Sequence, residues 1–345
     1  MKKQILATTI LAVGLLSAAP VYAEQPLGFP KPGLIAIADL KESYAEAATK
    51  AVKAYADGKV FTLEEAYKNK YNVDEKTEKE VWIVQSKDSD AVVTIDMDSG
   101  KVKNVSLHFA PDEITGKYAT HEKKVQAFVK EQQLPEFSLK EMKFVKYEDG
   151  PRKGEETLRF AGEKGPQFII INVKTGKIED YFGLIYKLDK VDNKLKQSAE
   201  QALSKLMDRK VQPFTDVERE MTKGEERYVF KRMEDMKNAK GRDGKPVKQA
   251  TQNVLVNSKG KVLRASFISE PEGKERKKIS QKEAVAAAAP VIKTILGVDV
   301  GTHHVEFDSD ISILRFTSKG KDKIVADFDR FGTLTMVGYD FSTIW

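Results

Sequence analysis

Four histidines, His108, His121, His303 and His304, supply all the imidazole in this chain, and none sits in a His-Glu-x-x-His zinc motif. His303 and His304 are adjacent, which on a strand turns them to opposite faces and works against joint chelation. The metal arrangement this spacing allows takes one of the two with Glu306 or Asp308. The preferred reading is a pair of exposed loop histidines. Asp96 and Asp98, two apart on a predicted strand, share a face and offer oxygens to calcium, with Asp88 and Asp90 close by. A complete calcium-binding loop is missing, however, and the matching positions of a second hairpin are Asn172 and Lys174. Asp308, Asp310, Asp327 and Asp329 are similarly suggestive, yet short polar residues beside turns ordinarily bond their own backbone.

A hydrolase needs a nucleophile or an activated water beside an oriented base. The chain has no cysteine, no Gly-x-Ser-x-Gly and no Gly-rich phosphate loop, and it has no Ser-x-x-Lys with supporting motifs. Glu64 with Glu65 and Glu155 with Glu156 resemble glycosidase carboxylate pairs in composition only. The first belongs to a predicted helix cap and the second to a charged run beside a predicted strand. No catalytic, cofactor-binding or metal-ligating residue is therefore assigned, and no cofactor is expected. The basic stretches Lys274-Glu275-Arg276-Lys277-Lys278 and Lys319-Gly320-Lys321-Asp322-Lys323 are too diluted for a nucleic-acid surface. The aromatic residues Tyr181, Phe182, Tyr186, Phe328, Phe331 and Tyr339 read as sheet packing rather than a sugar platform.

The chain opens with Lys2-Lys3, an apolar run from Ile5 to Ala19, and Pro20-Val21-Tyr22-Ala23, the pattern of a secretory signal peptide over residues 1–23. Its apolar run is short for a bilayer, so no stable membrane span is expected after cleavage. Cleavage would remove two lysines and lower the formal net charge from +6 to +4. Charged residues make up 32 % of the chain and are interspersed, which favours solubility over a binding code, although an anionic envelope would attract the excess weakly.

The elements that must position these residues follow a beat. Val93 to Val102, Ile169 to Ile178, Val254 to Val262 and Val325 to Leu334 each run from a β-rich stretch through a polar turn with one glycine into a second β-rich stretch, a hairpin signal. Gly100, Gly176, Gly260 and Gly332 stand 76, 84 and 72 positions apart. Phe61-Thr62-Leu63-Glu64-Glu65, Phe137-Ser138-Leu139-Lys140-Glu141 and Phe214-Thr215-Asp216-Val217-Glu218 keep nearly the same interval. Each places Ser or Thr three residues before Glu, the capping box of a helix start. Two landmarks in register argue for internal duplication.

The expected fold is α+β: tandem small units, each of one or two helices packed on a three-stranded antiparallel meander. After an extended lead-in over 24–38, the units are placed at 39–115, 116–191, 192–274 and 275–345, the third with an insertion near 233–247 read as a solvated hairpin loop, with a contact arm as the other option. Helices are predicted from Asp39, over His121 to Gln132, over Leu195 to Asp208 and from Gln281, with further short helices after Thr62 and Ser138. Ser280 and Glu283 form a capping box, and Pro290 should bend or end the last helix. The apolar tail Phe341 to Trp345 is expected to dock on the last sheet.

The run Ile279-Ser280-Gln281-Lys282-Glu283-Ala284-Val285-Ala286, followed by strands and the Asp329 to Gly332 turn, resembles a PepSY-type domain. The hairpins around Gly100 and Gly176 resemble that family's strand-turn-strand close. Several such units behind a signal peptide are similar to the YcdB/YcdC-type secreted proteins of spore-forming bacteria. The resemblance implies helix-plus-sheet modules outside the membrane and a peptidase-modulating role, and it carries over no catalytic residue. The expected function is that of a secreted or cell-wall-associated, non-enzymatic binding protein acting on an extracellular or envelope protein, with modulation of a secreted peptidase as its specific form. A binder of anionic cell-wall polymer is the first alternative and an unrecognised envelope hydrolase the second.

Overall fold

The computed structural model describes residues 33–72, 78–134, 137–148, 152–164, 166–207, 211–222, 224–240, 246–269 and 277–340. The expected signal peptide, residues 24–32 of the lead-in, residues 241–245 of the insertion and the apolar tail lie outside them. A two-residue strand, β1 (Ile35–Ala36), leads in. Helix α1 (Glu42–Tyr55) then precedes β2 (Glu65–Asn72), β3 (Glu78–Gln85), β4 (Ala91–Asp96) and β5 (Val102–Phe109). Helix α2 (Gly116–Glu131) precedes β6 (Leu139–Tyr147), β7 (Glu156–Gly162), β8 (Phe168–Asn172) and β9 (Ile178–Tyr186). Helix α3 (Asn193–Leu206) precedes β10 (Asp216–Thr222), β11 (Glu225–Lys240), β12 (Pro246–Asn257) and β13 (Val262–Phe267). Helix α4 (Gln281–Leu296) precedes β14 (His304–Asp308), β15 (Ile313–Thr317), β16 (Ile324–Phe328) and β17 (Leu334–Tyr339).

The expectation of tandem helix-on-three-strand units is overturned. The strands form one open, 17-stranded antiparallel sheet. Within each group of four, consecutive strands pair as hairpins, and β5 pairs with β6, β9 with β10, and β13 with β17 across the helical connections. Two physical reasons explain the error. The segments after Thr62, Ser138 and Thr215 are strands, not capped helices, because a capping motif starts a helix only when helical periodicity follows. Here burial alternates: Met142, Phe144 and Lys146 are buried while Lys143, Val145 and Tyr147 are only partly covered, a period of two. Each helix is thus followed by four strands. The outermost strands of neighbouring groups also leave no unpaired edge between them, since an exposed ladder edge is satisfied most simply by another strand.

Helix positions agree with the sequence periodicity. Ala48 and Val52 of α1, Tyr118 and Val125 of α2, Ala199, Ala202 and Leu203 of α3, and Ala284, Ala288 and Ile292 of α4 are buried. The Ser280 capping box forms: Ser280 Oγ accepts from the Glu283 N–H at 3.3 Å and Glu283 Oε2 accepts from the Ser280 N–H at 2.9 Å. Pro290 does not end α4, which continues to Leu296. Its ring and Ala286, whose carbonyl loses an N–H donor there, both lie on the solvent face, where water replaces the missing bond. The helices cover one face of the sheet. Under α1 and α2, Val93, Leu107, Phe144, Leu158 and Ile169 form one core; under α3 and α4, Phe230, Val254, Leu314, Phe316 and Val337 form a second. No helix among the described residues is long and apolar enough to cross a membrane.

Candidate functional site

The four glycine hairpins each open on an Asp or Asn cap, in two lengths: the glycine N–H reaches back four residues to Asp96 and Asn172 in the first two and three residues to Asn257 and Asp329 in the last two. Asp96 Oδ1 accepts from the Ser99 N–H at 2.8 Å, Asn172 Oδ1 from Thr175 at 3.0 Å, Asn257 Oδ1 from Lys259 at 3.1 Å, and Asp329 Oδ1 from Phe331 at 2.8 Å. Each turn closes through its glycine at positive φ, from 63° at Gly176 to 84° at Gly260. Asp96 is held below the usual carboxylate range, first by the Ser99 hydroxyl, against the opposing effect of its burial, and then by the Ser99 N–H and Lys103. Asp98 is exposed and takes no part. Asp88 binds Ser86 Oγ at 2.8 Å and the Asp90 N–H at 3.3 Å. The acids near these turns serve the backbone.

The two glutamate pairs also separate. Glu65 accepts from Gln85 at 3.2 Å, while Glu64 is exposed in the loop before β2. Glu155 pairs with Arg152 at 2.7 Å and Glu156 with Lys146 at 2.9 Å. Phe182 stacks on Phe168, with ring centroids 5.5 Å apart, on the face of the sheet without helices, and Arg159 lies 4.2 Å above Phe168.

His303 and His304 differ in burial and are not both exposed loop residues. His304 is exposed and begins β14, whereas His303 is 8 % exposed and neither ring nitrogen has a protein hydrogen-bond partner. Its phase explains this: His303 precedes Val305 and Phe307, which face the second core, at two-residue spacing. That alternation was a readable signal for its burial. His304 Nε2 lies 3.4 Å from Glu306 Oε1. Asp308 caps the next turn, accepting from the Asp310 N–H at 3.1 Å. No group of three or more His, Cys, Asp or Glu placed to hold a metal occurs among the described residues.

β14 is the candidate site because, among the described residues, it pairs on one side only. Its ladder with β15 sets His304 opposite Thr317, Glu306 opposite Arg315 and Asp308 opposite Ile313. No other described residue pairs with its outer side, and an edge of unpaired backbone N–H and C=O groups is the arrangement that accepts an added strand. At the far end of the sheet, β1 covers only Glu65 and Ala66 of β2.

Sequence reasoning missed the buried charges, which look like all the other interspersed ones. On the face without helices, Glu220 of β10 stands directly opposite Arg227 of β11, and both are buried. Arg264 of β13 stands opposite Gly338 of β17, and its guanidinium donates to the Tyr339 carbonyl at 3.0 Å. A Cβ at Gly338 would sit 2.7 Å from Arg264 Cγ, so the missing side chain is what lets Arg264 cross toward Asp327. Burial pushes Glu220 and Asp327 up, only partly offset by the arginines. The folded chain therefore holds the Glu220 proton more tightly than the unfolded chain. Its contribution is most favourable below the unfolded carboxylate range and is lost as pH rises through the raised folded value. Glu220→Gln is expected to raise the thermal midpoint at pH 7 and to match wild type below about pH 4. Melting curves at the two pH values check this, and an equal shift at both would contradict it.

Comparison with known proteins returns no matching family model, no similar curated protein and no similar solved structure.

Proposed function

We propose that this chain is an exported, non-enzymatic binding protein that acts outside the cell on an extracellular or envelope protein. The PepSY-type resemblance of Ile279 to Ala288 and of the glycine hairpins favours a secreted peptidase as that partner. The observation that carries the reading is the edge at β14: five residues paired, among the described residues, only to β15, with His304 and Glu306 exposed. Strand addition uses the backbone groups that such an edge leaves open, so a partner gains hydrogen bonds without any pocket.

One feature favours anionic wall polymer as a second reading. The ladder of β10 with β11 ends at Asp216 opposite Lys231, and that of β13 with β12 ends at Gln252 opposite Phe267. β11 and β12 continue as a two-stranded ribbon to Lys240 opposite Pro246, so the predicted insertion is largely strand. The stretch 237–248 carries Lys237, Lys240, Arg242, Lys245 and Lys248 against Asp243. Capture from native culture supernatant and washed cell walls across a salt series separates the two readings. A protein retained at high salt is the expected result, because screening weakens exposed charge contacts more than a paired strand. Retention on walls alone, lost as salt rises, would replace the first reading with the second.

A further inference from the structure

The chemistry of β14 says what kind of strand it would accept. Alternate residues of a strand face opposite sides, so His304, Glu306 and Asp308 line the face without helices, while Val305 and Phe307 line the helix side beside the second core. Asp310 follows in the exposed turn. Arg315 of β15 stands opposite Glu306 in the ladder, and its charge acts on Asp327. The edge therefore presents an acidic stripe on one face and an apolar stripe on the other.

A cationic strand is a better occupant than a second copy of the chain. Antiparallel pairing of β14 with itself centred on Glu306 would set Glu306 against Glu306, a destabilising pair, with His304 against Asp308 on either side. A strand with cations opposite both Glu306 and Asp308 has no such repulsion.

We propose that β14 is a docking edge for an extended peptide segment with lysine or arginine at alternate positions and apolar residues between them. This rests on the edge-binding reading above. The added strand's cations would stand opposite Glu306 and Asp308 at cross-strand distance, and its apolar side chains would extend the row of Val305 and Phe307 on the helix side. Specificity would come from charge order, and affinity from the backbone ladder.

The test measures binding of three synthetic heptapeptides to the mature protein by fluorescence anisotropy at low salt, with the bound site located by hydrogen exchange. They alternate valine with lysine, with glutamate or with threonine. The lysine peptide is expected to bind roughly tenfold more tightly than the glutamate peptide, from two cross-strand charge pairs of opposite sign, and to slow exchange across 304–308. The double variant Glu306→Gln with Asp308→Asn, in which asparagine keeps the oxygen that caps the turn, is expected to bring the two peptides to within about twofold. Glu306→Lys combined with Asp308→Asn should reverse their order, and circular dichroism confirms that both variants fold. Equal binding of the lysine and threonine peptides at β14 would overturn the charge inference and leave edge binding standing. If no peptide slows exchange at 304–308, both fall. Concentration-dependent dimerisation through β14 in the wild type would overturn the inference in favour of a second copy.

Discussion

Arg219→Ala is expected to destabilise the chain by about 2 kcal/mol, between the cost of breaking an exposed ion pair and a buried one, because the Arg219–Glu226 pair is half-buried. Arg219 sits on β10 opposite Tyr228 of β11 and Leu184 of β9, where the strands that follow α2 meet those that follow α3. Its Nε donates to Glu226 Oε1 at 2.9 Å, a second nitrogen also donates to Glu226, and Nη1 donates to Gln132 Oε1 at 2.7 Å, reaching the end of α2. Tyr181 donates to the same Glu226 oxygen at 2.7 Å, and Tyr228 donates to the other at 3.2 Å. The guanidinium carbon lies 5.1 Å from the centre of the Tyr186 ring. Burial alone would raise Glu226, but the donors from Tyr181 and Arg219 outweigh it and hold the carboxylate below its usual range. Burial also raises Tyr228, to about 12, so it remains a donor at neutral pH.

With alanine at 219, Glu226 keeps two tyrosine hydroxyls but no cation, and Gln132 loses its donor. The Glu226 contribution is present above the unfolded carboxylate range and is lost as pH falls through the depressed folded value. Urea unfolding of wild type and variant should therefore differ most near pH 7 and converge in acid. Arg219→Lys should rescue little, because an ammonium cannot fork between Glu226 and Gln132. A loss of under about 0.5 kcal/mol would mean that the network behaves as an exposed pair.

Gly183→Ala carries the second large effect, about 3 kcal/mol of destabilisation. Gly183 lies in β9 at φ +64°, and a Cβ there would come 2.8 Å from the Pro166 carbonyl oxygen, a backbone atom with little freedom to withdraw. The left-handed backbone costs an L residue roughly 1–2 kcal/mol and the overlap adds roughly as much. The glycine also does topological work. Tyr181 and Leu184, three apart, both face the first core, which regular alternation would forbid, and Gly183 is the irregular residue between them. Gly320→Ala is the control: φ is +72° with nothing within 4 Å of the added Cβ, so only the backbone term of about 1 kcal/mol applies. Equal losses in the two variants would show that the Pro166 approach contributes nothing.

The four helices and the glycine hairpins were legible because each is local. Helical spacing marked Ala48 with Val52 and Ala199 with Leu203, and the Ser280 box marked the start of α4 within one residue. Phe61, Phe137 and Phe214 recur in register, but they precede strands. The Ser/Thr-x-x-Glu pattern after them matches a helix cap, but the alternation through Met142 and Phe144 specifies a strand. The joins between neighbouring groups were not legible. Pairing β5 with β6 or β13 with β17 depends on ladders between segments separated by a helix or by a whole group, and no local pattern encodes the choice of partner. Buried charge was equally hidden. Glu218, Arg219 and Glu220 read alike in sequence, yet Arg219 faces the helices, Glu220 is buried on the opposite face, and Glu218 pairs with Lys231 at 2.6 Å. At β14, the reading of His303 and His304 as exposed loop residues fails for His303, which is buried in phase with Val305 and Phe307, an alternation already present in the sequence.

Among the described residues the strands form one continuous sheet with β14 as an edge strand. Native-state hydrogen exchange of the mature protein tests it without any partner. Amides across the joins β5 with β6, β9 with β10 and β13 with β17 are expected to be protected as strongly as those within the hairpins, while amides of β14 that point away from β15 exchange as fast as loop amides. Rapid exchange at all three joins, with protection confined to the separate groups of four strands, would contradict the continuous sheet, and strong protection throughout β14 in the isolated monomer would contradict the free edge.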